Sequence, residues 1–268
     1  MLTIVLTKLV ATAVVVIGVS VAVSKLGPRL GGILAGTPII LGPGYFFLLQ
    51  DWPPEFIRAS ALATLHALIA TLMFCIVFIL TAKRLRLSAS LGLATLTWVP
   101  CAFGFSLIPG GIVIAVLVYG LALLAAEAIR HAQALDQPKV VAVSGWFDVV
   151  VRGLLAGVLV AIATTLAARS GALLSGILIG FPVGLLTIGW TLHDRYGADV
   201  ARATIAASQR GMLSLAAFAA VTAIAVDHLP PMITFAVALL ASLIVSGALF
   251  IISQWLDRVA RKQTLRAQ

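Results

Sequence analysis

Residues 175–185 read SGILIGFPVGL and residues 31–41 read GGILAGTPIIL, nearly the same phrase written twice, 144 positions apart. Carried outwards at that offset without a gap, Lys8 meets Arg152, Lys25 meets Arg169 and Gly27 meets Gly171. Gly32, Ile33 and Leu34 meet Gly176, Ile177 and Leu178, while Gly36 meets Gly180 and Pro38 meets Pro182. Further on, Glu55 meets Asp199, Arg58 meets Arg202, Thr64 meets Ser208 and His66 meets Arg210. Leucines and alanines coincide readily in apolar sequence, so their identities weigh little. Glycines, prolines, acids and arginines held in one register are harder to obtain by accident, and they read as a duplication.

The background to this phrase is almost wholly apolar. Of 268 residues, 62% are hydrophobic and 10% are charged, with a mean hydropathy of +1.15. Soluble domains carry about 25% charge, so that class is excluded. Runs of about twenty apolar residues recur from end to end, each long enough to cross a hydrocarbon core of about 30 Å. They are continuously apolar and show no period-two alternation, which argues against a transmembrane barrel. The expected fold is all-α and polytopic, with about nine spans near 3–24, 28–50, 57–82, 87–107, 110–129, 146–168, 171–192, 200–226 and 231–256. The first span has no basic segment ahead of it and carries Lys8 within it, so it reads as a retained helix rather than a signal peptide.

The formal net charge of +9 would suggest nucleic acid in a soluble protein. Here most basic residues lie in short connections. Alternating the spans puts Lys25, Arg29, Lys83, Arg84, Arg86, Arg130, Lys139, Arg195, Arg258, Arg261, Lys262 and Arg266 on one side. The other side receives little beyond Arg58 and Arg169. That bias predicts a cytoplasmic C-terminus and an external N-terminus in a bacterial inner membrane, and no nucleic-acid partner. Cys75 and Cys101 both lie in apolar runs without metal-ligand spacing to histidine, and read as buried hydrophobes.

An odd number of spans between the starts of the two copies turns the second upside down. Residues 1–130 are then a first transmembrane repeat, 131–145 a cytoplasmic linker and 146–268 a second, inverted repeat. Inverted repeats recur in secondary transporters, with substrate held near the midplane by interrupted helices. Pro38 and Pro182 would supply the interruptions, since a proline inside a helix removes a hydrogen bond at a cost of about 3 kcal/mol. Gly42, Pro43 and Gly44 would weaken the first copy's helix a second time. Gly32, Gly36, Gly176 and Gly180 are spaced for close helix approach.

Charges inside the bilayer cost about 2.5–3.5 kcal/mol each on the most lenient scale and call for a reason. Glu55 with Arg58, and Asp199 with Arg202, open the third and eighth spans as pairs three residues apart, either as interfacial caps or as an anion-capturing mouth. His66 and Arg210 lie eight residues beyond those arginines, so about 12 Å deeper along a helix. They are expected to approach one another near the midplane, with Thr64, Ser208 and Gln209 as neighbouring polar groups. None of the nine carboxylates reads as mid-membrane. An interior that is cationic, with hydroxyls and an amide, favours an anionic or zwitterionic substrate or a lipid phosphate headgroup. The candidate substrate-binding set is therefore Arg210, His66, Arg58, Arg202, Pro38, Pro182, Thr64, Ser208 and Gln209. No catalytic motif, metal cluster or cofactor fingerprint is legible, and no enzymatic activity is expected.

The unit GILAGTPIIL…FIRASALATLHALIATLMFCIVFIL, together with small apolar helices and an absence of large loops, resembles the GlpM-type membrane proteins of the drug/metabolite transporter superfamily. The resemblance covers about 60 residues of each half and implies a transporter of small metabolites. It supplies no binding residue. The function expected from the sequence is a secondary transporter of a small anionic or zwitterionic metabolite by alternating access. A lipid or polyprenyl-phosphate translocase and a non-transporting scaffold subunit are the alternatives. The expected partners are membrane lipids and a second copy of the chain as a homodimer.

Overall fold

The computed structural model describes residues 2–25, 38–135 and 145–266. Those residues form ten helices: α1 (Leu2–Lys25), α2 (Leu41–Asp51), α3 (Pro54–Thr81), α4 (Leu87–Ser106), α5 (Gly111–Ala132), α6 (Trp146–Thr165), α7 (Ala167–Ile179), α8 (Val183–Tyr196), α9 (Ala198–Ala225) and α10 (Pro231–Arg266). No strand occurs among them. Among the described residues, seven stretches are long and apolar enough to cross a membrane, the pair α7 and α8 counting as one. The chain is an integral all-α membrane protein.

Helix α3 sits at the centre. It is apolar all round and buried for most of its length, as expected of a helix with no polar face to turn outwards. Against it pack α4, α5, α7 and α9. Helix α1 lies along α6, and α10 lies along α9. Leu117, Leu121 and Leu124 of α5, with Leu240, Ile244 and Ile251 of α10, are exposed. In a spanning bundle such residues face hydrocarbon, where exposure is no penalty.

The two ends of the bundle are held by ion pairs between elements distant in the chain. At one end Lys83 meets Asp199 at 2.6 Å and Arg195 meets Asp148 at 3.2 Å. At the other, Arg58 of α3 donates to Asp227, just beyond α9, at 2.6 Å. The first is the basic end, since Lys83, Arg84, Arg86, Arg130 and Arg195 all lie there.

Pro182 interrupts its span as expected. Helix α7 stops at Ile179 and α8 restarts at Val183, with Leu186 N–H returning to the Pro182 carbonyl at 2.9 Å. Gly171 turns the chain into this span with φ +76°, in the left-handed region that favours glycine. In the first copy Pro38 precedes α2, and its carbonyl accepts from Gly42 N–H at 2.6 Å. The expected second weakness at Gly42, Pro43 and Gly44 does not appear. Pro43 falls in the first turn of α2, where its missing N–H would have had no partner within the helix. Gly32 and Gly36 lie outside the described residues, as do Gly27 and Arg29.

The half of the bundle away from the basic end is tightly closed. Gly176 of α7 and Gly180, which caps its C-terminus, face Ser60, Ala63, Thr64 and Ala67 of α3. A Cβ at Gly180 would lie 2.7 Å from the Ala67 methyl, and one at Gly176 would fall on the Ser60 carbonyl oxygen. Across this seam Ser60 Oγ donates to the Ala172 carbonyl at 2.9 Å and Thr64 Oγ1 donates to the Gly176 carbonyl at 2.8 Å. Thr64 has one proton to give, so Tyr45 Oη donates to Thr64 at 2.7 Å. Small residues bring the backbones together, and hydroxyls then reach carbonyls on the facing helix.

Candidate functional site

The opposite half is open. A cavity of about 810 Å³ lies among α1, α3, the end of α5, α6, α8, α9 and α10, together with residues 39–41. Its floor is the interruption at Gly180, Phe181 and Pro182. Its walls are the parts of α6, α9 and α10 nearer the basic end. A volume of this size suits a small organic molecule.

Three arginines line the cavity: Arg130, Arg152 and Arg210. Ser20, Thr71, Ser208, Ser246 and Ser253 share the wall, as do aliphatic and aromatic residues including Leu185, Ile188, Leu215 and Phe250, although the Thr71 hydroxyl is taken by Trp98 Nε1–H and the Ala67 carbonyl. None of the lining residues is an aspartate or glutamate.

Glu127, on α5 just behind the wall, holds two of the arginines. Arg210 donates to it as a fork, Nε to Oε1 and Nη2 to Oε2, both at 2.8 Å. Arg130 Nε donates to the same Oε2 at 2.9 Å. Forked, charge-assisted pairs of this kind are among the stronger hydrogen bonds a protein makes. Arg152 is placed differently. Its Nε donates to Thr187 Oγ1 at 3.1 Å, while the Thr187 hydroxyl turns its own proton back to α8, to the Val183 or Gly184 carbonyl, each at 3.0 Å. No carboxylate lies within ion-pair distance of Arg152 among the described residues. Asp148, one turn earlier on α6, is engaged by Arg195 and by the Gly145 N–H at 2.9 Å.

Of the residues singled out from sequence, the cavity brings together Arg210, Ser208 and Pro182. It leaves out the other six. Thr64 is in the α3–α7 seam, and Arg58 pairs with Asp227 at the far end. Pro38 is buried next to the cavity residues Ile39 to Leu41 without lining it. Arg202, 6% exposed, donates from Nε to the Ile79 carbonyl at 2.6 Å and from Nη2 to Gln133 Oε1 at 2.8 Å, tying α9 to α3 and α5. His66 is 3% exposed on α3 and does not face the cavity. His66 and Arg210 do not pair, because the Arg210 fork is taken by Glu127.

Gln209 is fully buried, and neither atom of its amide has a hydrogen-bond partner among the described residues. An unpaired buried amide costs about 1–3 kcal/mol, and its counterpart at the 144-residue offset is Leu65, equally buried. Gln209→Leu is expected to raise the melting temperature in detergent by about 2–4 °C. A variant that melts lower and no longer responds to ligand would assign the amide to the bound substrate instead.

Sequence reasoning missed Arg152, Arg130 and Glu127. Arg152 was visible as the partner of Lys8 in the repeat. Lys8, however, is neutralised by Asp51 at 2.7 Å, with its ammonium 5.5 Å from the Phe47 ring centre. Only the fold distinguishes the two. Glu127 and Arg130 read as an ordinary end of a span, since nothing in sequence says that Arg210, 83 positions later, reaches back to them. No protein-family model, curated protein or solved structure matches the chain.

Proposed function

We propose that the chain is a secondary transporter of a small organic anion, working by alternating access between two inverted halves in a bacterial inner membrane. The observation that carries this reading is the cavity itself: three arginines and several hydroxyls at its wall, with its floor at an interrupted helix. Membrane transporters place substrate at such interruptions because the backbone groups released there need polar company.

The packing supports the same reading. Helices that the 144-residue offset superposes lie against one another, α1 on α6 and α3 on α9, as a twofold axis between them requires. One half is shut along the α3–α7 seam while the other holds the cavity, which is the asymmetry an alternating-access conformer presents. With the C-terminus in the cytoplasm, the basic end faces inwards and the cavity is on the cytoplasmic side. A non-transporting scaffold would need a close-packed interface around His66 and Arg210; His66 is packed in this way, whereas Arg210 lines the cavity, which supports the transporter reading.

The test is thermal unfolding of the detergent-purified protein against anionic metabolites and phospholipid headgroups, with Arg210→Ala alongside. A ligand that binds the folded state at a hundred times its Kd stabilises by about 2.7 kcal/mol. A small anion is expected to raise the melting temperature, and Arg210→Ala to lose that rise. A rise with lipid headgroups alone would favour the second reading, a lipid translocase, which the aliphatic part of the wall recommends. A flat response to the whole panel would remove the anion site.

A further inference from the structure

We propose that Arg152 is the primary anchor for substrate in this cavity, and that Glu127 is a built-in substitute anion which the substrate displaces from Arg210. The inference rests on the anion-transport reading and names how the site would recognise its ligand. Arg152 lines the cavity and is fixed by Thr187 through Nε, which leaves its two terminal nitrogens without a carboxylate within ion-pair distance among the described residues. Asp148, one turn away, acts on it only from farther off and is held by Arg195. Arg210 lines the same cavity but is held at both donating nitrogens by Glu127.

Three arginines around one cavity repel one another unless an anion lies between them. With the cavity empty, Glu127 fills that role for two of them. Among the lining residues and Glu127, three positive charges meet one negative, while Asp148 behind Arg152 is already paired with Arg195. The complementary ligand is a doubly charged oxyanion head, as in a phosphate monoester or a dicarboxylate. Leu185, Ile188, Leu215 and Phe250 extend the wall beyond the arginines, so the head carries an apolar body. Arg152 takes the head first. The head then competes with Glu127 for the Arg210 fork, an exchange of one charge-assisted pair for another that costs little. Lys8, the counterpart of Arg152 at the 144-residue offset, is not free in this way, because it is already paired with Asp51.

The experiment uses the full chain in nanodiscs and hexyl phosphate as the probe, with inorganic phosphate as the arm lacking an apolar body. Hexyl phosphate is expected to bind at least about tenfold more tightly than inorganic phosphate. Glu127→Gln, which releases Arg210, should tighten hexyl phosphate binding about tenfold, and Arg152→Ala should weaken it about tenfold or more. Adding phosphatidic acid to the nanodisc separates the two sources of such a head. Competition with hexyl phosphate would point to a lipid, and its absence to a soluble metabolite, the site being the proposed one in either case.

A second measurement needs no variant to fold. Phenylglyoxal modifies accessible, unpaired arginines, and mass spectrometry of the wild-type protein should find Arg152 modified well ahead of Arg210. Exposure alone would reverse that order, since half of the Arg210 side chain is exposed. Hexyl phosphate should protect Arg152. Unchanged or weaker binding in a folded Glu127→Gln protein, or Arg210 modified first, would overturn the proposal and leave the anion-transport reading standing. If neither phosphate binds the wild-type protein, that reading fails as well.

Discussion

Gly176→Ala is expected to abolish most of the folded protein, an effect far beyond what one methyl group usually does. In an ordinary helix the change would be favourable, by about 1 kcal/mol of helix propensity. At Gly176 the new Cβ would fall on the Ser60 carbonyl oxygen and lie 2.8 Å from the Ala63 methyl. Neither neighbour is the end of a flexible chain, so the helices themselves must move apart. Separating them stretches the Thr64 and Ser60 hydrogen bonds across the seam. Overpacking commonly costs about 1–3 kcal/mol and more where backbone must shift, so a loss of about 3 kcal/mol or more outweighs the propensity gain. Gly211→Ala is the matched control. Gly211 is the counterpart of Ala67 at the 144-residue offset, and a Cβ there meets nothing within 4 Å. Fluorescence-detected size-exclusion yield and detergent melting should show Gly176→Ala collapsing and Gly211→Ala as stable as the wild type. Equal behaviour of the two would mean that the seam is not a close-packed contact.

Arg202→Ala should cost about 3 kcal/mol of stability without touching anion recognition. The Arg202 guanidinium is the knot of the basic end: it reaches the Ile79 carbonyl on α3, Gln133 beyond α5 and, at 3.6 Å, Asp199 on its own helix. Truncation strips a buried carbonyl of its charged donor and leaves a cavity where a long side chain packed, and both penalties apply together. Asp199 adds little, because it is mostly exposed and keeps Lys83 at 2.6 Å. The measurement is the unfolding midpoint in detergent, followed by the anion-dependent shift of the protein that remains folded. A variant of full stability that has lost its anion response would move Arg202 from the frame of the bundle to the recognition of substrate.

Arg202 and Arg210 illustrate how far sequence reaches into the site. The pattern separates them by depth, Arg202 in an interfacial pair with Asp199 and Arg210 two turns deeper, but it offers both as anion-binding candidates and says nothing of their partners. Two turns of helix bring Arg202 under the ends of α3 and α5, and Arg210 to the cavity wall. The hydrophobic boundaries fare better. The spans expected at 57–82, 87–107, 110–129 and 200–226 fall within a few residues of α3, α4, α5 and α9, because span length is set by the bilayer and by nothing more distant. Pro182 was equally legible, since its missing N–H interrupts a helix in any surroundings. Pro43 misled the reading because the effect of a proline depends on where its helix begins, and α2 begins two residues before it.

The sequence by itself determined that this is an all-α membrane protein, that Pro182 breaks a helix, and that the buried polar groups are mostly cations and hydroxyls. These follow from local quantities: hydropathy over about twenty residues, a ring without an N–H, a count of charges. Only the tertiary structure decided which cations are spent and which are free. Lys8 is neutralised by Asp51, 43 positions away, and Arg210 by Glu127, 83 positions away, while Arg152 meets a threonine hydroxyl. An ion pair is settled by distances of a few ångströms across a bundle. Charge, unlike hydropathy, has its meaning set by whatever folding brings beside it.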